Sequence, residues 1–316
     1  MIDISVCCTC YNHEKYISQA LESILAQKGD FTIEILVHDD ASSDRSQSII
    51  KSYADKFPGI VKPMLQKENQ YSKGIPINET FNFSRAEGEY IALCEGDDFW
   101  IDEYKLAKQL KYMREHKNCS FCFSNAKIHD MNGQRPDRLF VPYYENEKEF
   151  IKSSGEYSLS DIIKLSFIPT ASFMFRRSDY MRLKDELIKP FPYGDMRYKL
   201  LFTSLGYAYF LNEATCVYRE NVNGSAMHVW KNENRQKCFE RLYSIYSFLN
   251  DLKYISGHEH DDAISMEQSK HINYAMEYMY SFKNLKLDGV WNEFCKKSFI
   301  AKLKLYAKII LGGILK

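Results

Sequence analysis

The sequence predicts an α/β protein with a doubly wound, mostly parallel sheet and a helical C-terminal extension. Three observations carry that expectation. Short apolar runs alternate with amphipathic stretches as far as about residue 135, the pattern of βαβ units. Polar segments, "TCYN" (9–12), "DDASSD" (39–44) and "EGDD" (95–98), directly follow three of those runs. From residue 229 onward helical spacing dominates.

The elements follow in order. Ile4 to Cys8 is an apolar run suited to a central parallel strand. Ile17, Ala20, Leu21, Ile24 and Leu25 recur at helical spacing. Ile33 to His38 is a second strand, and Ile49, Ile50, Tyr53 and Ala54 mark a second helix. Gly59 to Leu65 reads as a third strand, followed by the polar loop "QKENQYSKG". Residues 78–87 read as a helix stopped by Gly88. Tyr90 to Cys94 is a strand, Leu106, Leu110 and Met113 mark a helix, and Ser120 to His129 is another strand. Beyond 135 the alternation weakens. "VPYYENEKEF" reads as loop, "SLSDIIKL" as a short helix capped by Ser160, and "IPTASFMFRR" as a strand. "YGDMRYKLLFTSLG" reads as a helix ending at Gly206, and "YAYFLNEATCVYRE" as two short strands.

Composition narrows the function. With 42 basic and 42 acidic residues, no overall positive field exists to hold nucleic acid. "MIDISVCC" reads as a strand rather than a leader, and no window approaches the roughly 18 apolar residues of a membrane span. The nine cysteines read as reduced thiols; Cys7, Cys8 and Cys10 sit too close for a zinc pattern and suit small buried hydrophobes. No GxGxxG opens the first helix and no GxxxxGK occurs, which disfavours a dinucleotide dehydrogenase or a P-loop enzyme.

What remains is acid at strand ends. In open α/β sheets, ligands bind beyond the carboxyl ends of the strands, so the three polar segments should meet at one edge. Carboxylates gathered there repel unless something positive lies between them. A hard divalent cation takes one or two protein carboxylates and fills its shell with phosphate oxygens. Asp97 and Asp98 therefore read as one ribose contact and one metal ligand. The bland alternative, an acid at a helix N-terminus, suits Asp102 and Glu103 better. "HEHDD" (258–262) has residue types that a metal accepts but reads as a solvated loop.

"ISVCCTCYNHEKYISQALESILAQ", "EILVHDDASSD" and "GEYIALCEGDDFWIDEYKLAKQL" together resemble the nucleotide-diphospho-sugar glycosyltransferases of family 2. The resemblance covers roughly residues 2–225 and implies the GT-A fold, a Rossmann-like α/β domain. A composition shift near residue 228 bounds the catalytic domain, 1–228, with a nucleotide-sugar half to about 130 and an acceptor half over 131–228. A helical region, 229–316, follows. Thr9, Tyr11 and Asn12 fall in the substrate-binding group, Thr9 and Tyr11 where the family holds uracil, Tyr11 by stacking. Asp40, with Asp39 beside it, falls where a carboxylate accepts from the base. Asn69 and Lys73 sit where nucleotide contacts are common. Asp98 falls on the metal ligand and Asp97 on the acidic motif. Glu95-Gly96 stands where many members have Asp-Ala, which leaves open which acid reaches the ribose. Asp195, in "PYGDMRYKLL", falls on the catalytic base, and 167–177 on the acceptor side. His228, in "YRENVNGSAMHVW", is a further candidate for the metal or a phosphate.

The resemblance thus implies an inverting transferase that uses Mn²⁺ or Mg²⁺. It moves a sugar, with UDP favoured as carrier, to a saccharide or lipid-linked saccharide in bacterial surface polysaccharide synthesis. A non-catalytic or nucleotidyltransferase-like sugar-nucleotide binder is the alternative. Residues 296–316 hold six Lys and no acid, with Phe299, Leu303, Ala307 and Ile310 along one stripe. That tail is too short and charged to span a bilayer but suits an anionic membrane interface, against a plain docked surface helix. The implied location is the cytoplasm, peripheral to the inner face of the membrane, with the oligomeric state open.

Overall fold

The computed structural model describes residues 2–143, 153–165, 167–222 and 233–314. The chain divides into two compact units, Met1–Val222 and Asn223–Lys316.

The first unit is α/β. Its strands are β1 (Ile4–Cys10), β2 (Ile33–Asp39), β3 (Val61–Leu65), β4 (Tyr90–Leu93), β5 (Phe99–Trp100), β6 (Cys119–Asp130), β7 (Arg138–Leu139), β8 (Gly155–Tyr157), β9 (Met174–Arg176) and β10 (Tyr207–Glu220). Its helices are α1 (Ile17–Leu25), α2 (Ser46–Lys56), α3 (Lys105–Glu115), α4 (Phe140–Tyr143), α5 (Leu159–Ile162), α6 (Arg177–Leu187) and α7 (Gly194–Thr203). The sheet runs β3-β2-β1-β4-β9-β6-β10-β5, with β7 on β6 and β8 on β10. β3, β2, β1 and β4 are parallel throughout. β9 lies antiparallel between β4 and β6, and β6 then pairs parallel with β10.

The central strands have water on neither face, which is why they read as unbroken apolar runs. Ile4, Val6, Cys8, Ile35, Val37, Ile91 and Ala92 are fully buried. α1 buries Ile17, Ala20, Leu21 and Ile24, the stripe that its spacing predicts. All nine cysteines are free.

Several elements depart from the sequence reading. Residues 78–85 form a π-helical turn (Asn78–Asn82) and a 3₁₀ turn (Phe83–Arg85), not a regular α-helix. Gly88 does not stop a helix by a left-handed turn; it crosses the start of β1, where a Cβ would lie 2.4 Å from Ser5 N. The α5 cap is Ser158, in a capping box with Asp161, and not Ser160. Residues 207–220 make one strand, because the partner β6 is continuous and shifts of register near Leu211 and Ala214 absorb the exposed Asn212 and Glu213.

The second unit is helical: α8 (Arg235–Ile255), α9 (Asp261–Met276), a 3₁₀ turn (Phe282–Lys286), α10 (Val290–Lys296) and α11 (Phe299–Ile314). Its core gathers Phe239, Ile272, Met276, Val290, Phe294, Leu305 and Ile309. Within "HEHDD", His258 Nδ1 lies 2.9 Å from Asp261 Oδ2, and Asp261 and Asp262 open α9. α11 docks through Leu305 and Ile309 and leaves Phe299, Ile300, Leu303, Ile310 and Leu311 50–75% exposed. Among the described residues no helix is long and apolar enough to cross a membrane.

Candidate active site

Backbone pairing brings the three polar segments together. β1 lies between β2 and β4, so their carboxyl ends are neighbours. Asp40 N donates to Cys10 O at 2.9 Å, and Gly96 N donates to Thr9 O at 2.8 Å. "TCYN" is thus flanked by "DDASSD" on one side and "EGDD" on the other.

The acidic segment is largely dehydrated. Asp98 is 1% exposed. Its Oδ1 accepts from Arg219 N at 2.8 Å, while its Oδ2 is buried with no hydrogen-bond partner. Burial, then the fields of Asp97 and Glu95, push its carboxyl well above the ordinary range. Burial pushes Glu95 up to about 8, helped by Asp97 and Asp195. Asp195 stands in the first turn of α7, where burial raises it and Lys199 pulls it back. Tyr218, on β10, has its phenol pushed up by burial and by Asp98, Glu95, Asp97 and Asp195. Four carboxylates from two distant segments therefore act on one phenol. Burial thus holds Glu95 and Asp98 toward their protonated forms, a cost that a bound cation would relieve.

The other predicted residues lie on the adjoining loops. Tyr11 is 46% exposed beyond the end of β1. Asn12 adopts a left-handed φ of 57°, accepting from Ser43 N at 2.8 Å and donating its own N–H to Ser42 Oγ at 2.8 Å. Asp39 accepts from Ser42 N at 2.9 Å and from Gln47 Nε2 at 2.7 Å. Asp40 accepts from Gln70 N at 2.8 Å and Tyr71 N at 3.0 Å, which ties "ENQYSKG" to the edge. Both acids thus shape loops; a carboxylate has about four lone-pair sites, so Asp40 keeps capacity for another donor. Asn69 donates to Asp40 O at 3.2 Å and accepts from Ser72 N at 2.7 Å. Lys73 pairs with Glu68 at 2.6 Å on the surface. His228 lies outside the described residues.

Three residues here escaped the sequence reading. Arg219 clamps the acidic segment: its backbone N–H holds Asp98, its Nη1 donates to Asp97 O, and its Nη2 donates to Gln19 at 2.6 Å. Its guanidinium also lies over Tyr16 and Phe99, at 4.9 and 4.5 Å. His13 Nε2 lies 3.8 Å from Asp97 Oδ2. Tyr218 feels the charge of all four acids. The one available signal was position: Arg219 and Tyr218 end a predicted strand, and His13 follows one.

Among the described residues, no three His, Cys, Asp or Glu side chains gather as a ready-made metal cage. The bare Asp98 Oδ2 and the neighbouring Asp97 instead supply part of a hard-oxygen set. That suits Mg²⁺ or Mn²⁺ completed by diphosphate oxygens, so the residues fit such an ion.

Comparisons with known proteins follow the same lines. A sequence model of glycosyl transferase family 2 matches residues 5–183. An uncharacterized Mycobacterium tuberculosis protein, Rv1520, is 31% identical over 271 residues, covering 84% of this chain and 72% of its own. Bacillus subtilis TuaG, provisionally described as a teichuronic acid biosynthesis glycosyltransferase, is 26% identical over 72% of this chain and 83% of its own. Among solved structures, S. aureus TarS 1–349 in complex with UDP-GlcNAc superposes with a TM-score of 0.60 at 17% identity, covering 98% of this chain and 81% of that one. Mannosyltransferase PcManGT from Pyrobaculum calidifontis, in complex with GDP-Man and Mn²⁺, gives 0.53 at 16% identity, covering 98% and 79%. These structural likenesses establish the GT-A fold.

Proposed function

The chain belongs to glycosyl transferase family 2, and from that premise we propose that it is an inverting, cation-assisted transferase. It moves a sugar from a UDP-sugar to a hydroxyl of a saccharide or lipid-linked saccharide in bacterial surface polysaccharide synthesis. The observation that carries the reading is the buried Asp98 at the carboxyl edge of the sheet, one oxygen on Arg219 N and the other without a partner. The TarS complex with UDP-GlcNAc and the teichuronic acid description of TuaG support the donor and the pathway class.

In this reading residues to about 130 hold the donor and 131–228 the acceptor. Tyr11 stacks on the base, Thr9 and Asn12 line its pocket, and Asp40, with Asp39 beside it, accepts from its N–H. Asn69 and Lys73 contact the nucleotide, the lysine offsetting phosphate charge. Asp97 or Glu95 reaches the ribose, and Asp98 would hold the metal. When bound, the cation withdraws charge from the departing diphosphate. Asp195 takes the proton of the acceptor hydroxyl as that oxygen bonds to the anomeric carbon. The bond from that carbon to the diphosphate breaks, and its electron pair leaves with the nucleotide. Burial raises the pKa of Asp195 toward that of a useful base, and general base catalysis contributes roughly 10²–10⁴-fold.

The exposed stripe of α11, flanked by Lys304 and Lys308, is proposed to rest on the anionic inner face of the membrane. That would hold the cytoplasmic enzyme near a lipid-linked acceptor.

The test is a thermal-shift panel of UDP, GDP and dTDP with and without Mn²⁺, followed by nucleotide release from UDP-GlcNAc and GDP-mannose. Stabilisation by UDP that needs Mn²⁺, with turnover abolished by EDTA and restored by Mn²⁺, is expected. Binding without any turnover favours the non-catalytic alternative. Undiminished turnover in chelator removes the metal from the account.

A further inference from the structure

α7 is buried along its length, from Met196 to Thr203, and ionic contacts fix where its first turn lies. Arg197, two residues after Asp195, is 3% exposed, and its partner Glu79 is 4% exposed. Arg197 Nη2 donates to Glu79 Oε1 at 3.0 Å across 118 residues of sequence. The Nη1 of the same guanidinium donates to Lys189 O, and its plane lies over Phe191 at 5.6 Å. Glu79 belongs to the π-helical turn Asn78–Asn82, a rare geometry that is frequent at functional sites. Tyr180 donates its hydroxyl to Glu79 O at 3.1 Å. Burial pushes the Tyr198 phenol up, and it also feels the charges of Glu79 and Glu95. On another side, Lys199 donates to Leu165 O.

This network joins the segment before β4 to the helix that carries Asp195. A buried ion pair is a poor device for stability alone, since apolar residues of similar volume often do as well or better. It does fix geometry, because a charge-assisted hydrogen bond between two buried ions has one good arrangement. We propose that Glu79 and Arg197 are positioning residues that aim Asp195 at the acidic edge. The proposal rests on Asp195 as the base. The network acts through Asp195 and need not touch substrate.

The experiment compares wild type, Glu79→Leu/Arg197→Leu, Asp195→Asn and the triple variant. Nucleotide release is followed from UDP-GlcNAc, or from GDP-mannose if UDP does not bind, and UDP affinity is measured for each. The double variant should melt cooperatively and bind UDP like wild type, while kcat falls about 10- to 100-fold, the loss expected of a displaced base. Adding the pair to Asp195→Asn should cost nothing more, because a device that works through Asp195 has nothing left to position. Should the double variant not fold, Glu79→Gln keeps the shape and should still lower kcat several-fold at unchanged donor KM. Wild-type kcat in both variants, or losses that multiply in the triple, overturns the inference while the base reading stands. Wild-type turnover by Asp195→Asn removes the base reading and the inference with it.

Discussion

Burial leaves Asp98 with one carboxylate oxygen on the Arg219 N–H and the other bare. Asp195 differs, being partly buried at a helix start and drawn down by Lys199. The two acids should therefore respond differently to loss of charge. Asp195→Asn should keep UDP affinity and lower transfer by roughly 10²–10⁴-fold, read from steady-state rates beside calorimetric binding. Gly96 presents a steric case. A Cβ there would sit 3.0 Å from both Thr9 O and His13 Nδ1. Gly96→Val should destabilise by about 1–3 kcal/mol, because a backbone carbonyl cannot swing aside. Urea unfolding of that variant checks this; unchanged stability would mean that the segment sits farther from β1.

At the scale of elements, the acidic segment should make the ligand-free protein sensitive to pH. Glu95 shifts from 4.5 when unfolded to about 8 when folded, so the folded state binds more protons between those values. Stability should fall as pH rises through that window, and Mn²⁺ with UDP should restore it at the alkaline end. Melting curves with and without both ligands test this; a melting point that climbs with pH in their absence contradicts it. β1, β2, β4 and α1 were legible in the sequence because water-free strands and one-sided helices leave plain periodicities. The span 78–85 was not, because its π turn follows from burying Glu79 against an arginine far along the chain. Residues 207–220 read as two strands because Asn212 and Glu213 look like a turn, whereas continuous pairing to β6 carries the strand past them. The acid pairs at strand ends were visible locally, but the Arg219 clamp was not, since a contact across 121 residues leaves no local pattern.

On the scale of the whole molecule, zero net charge conceals an uneven distribution, with six Lys and no acid over 296–316. α11 uses Leu305 and Ile309 for its own unit's core, so deleting the helix would strip that core as well as the exposed stripe. Phe299→Ser/Leu303→Ser/Ile310→Ser is the cleaner change. That variant should fold normally and lose flotation with liposomes containing phosphatidylglycerol; flotation equal to wild type refutes membrane contact. The central claim concerns the acidic carboxyl edge of the sheet in the first unit. Calorimetric titration of UDP into wild type and Asp98→Asn, with Mn²⁺ present, tests it most directly. The account predicts that the variant binds at least about tenfold more weakly, a loss of 1.4 kcal/mol or more, and that EDTA weakens wild type to match. Equal affinity in both proteins, indifferent to EDTA, would contradict it.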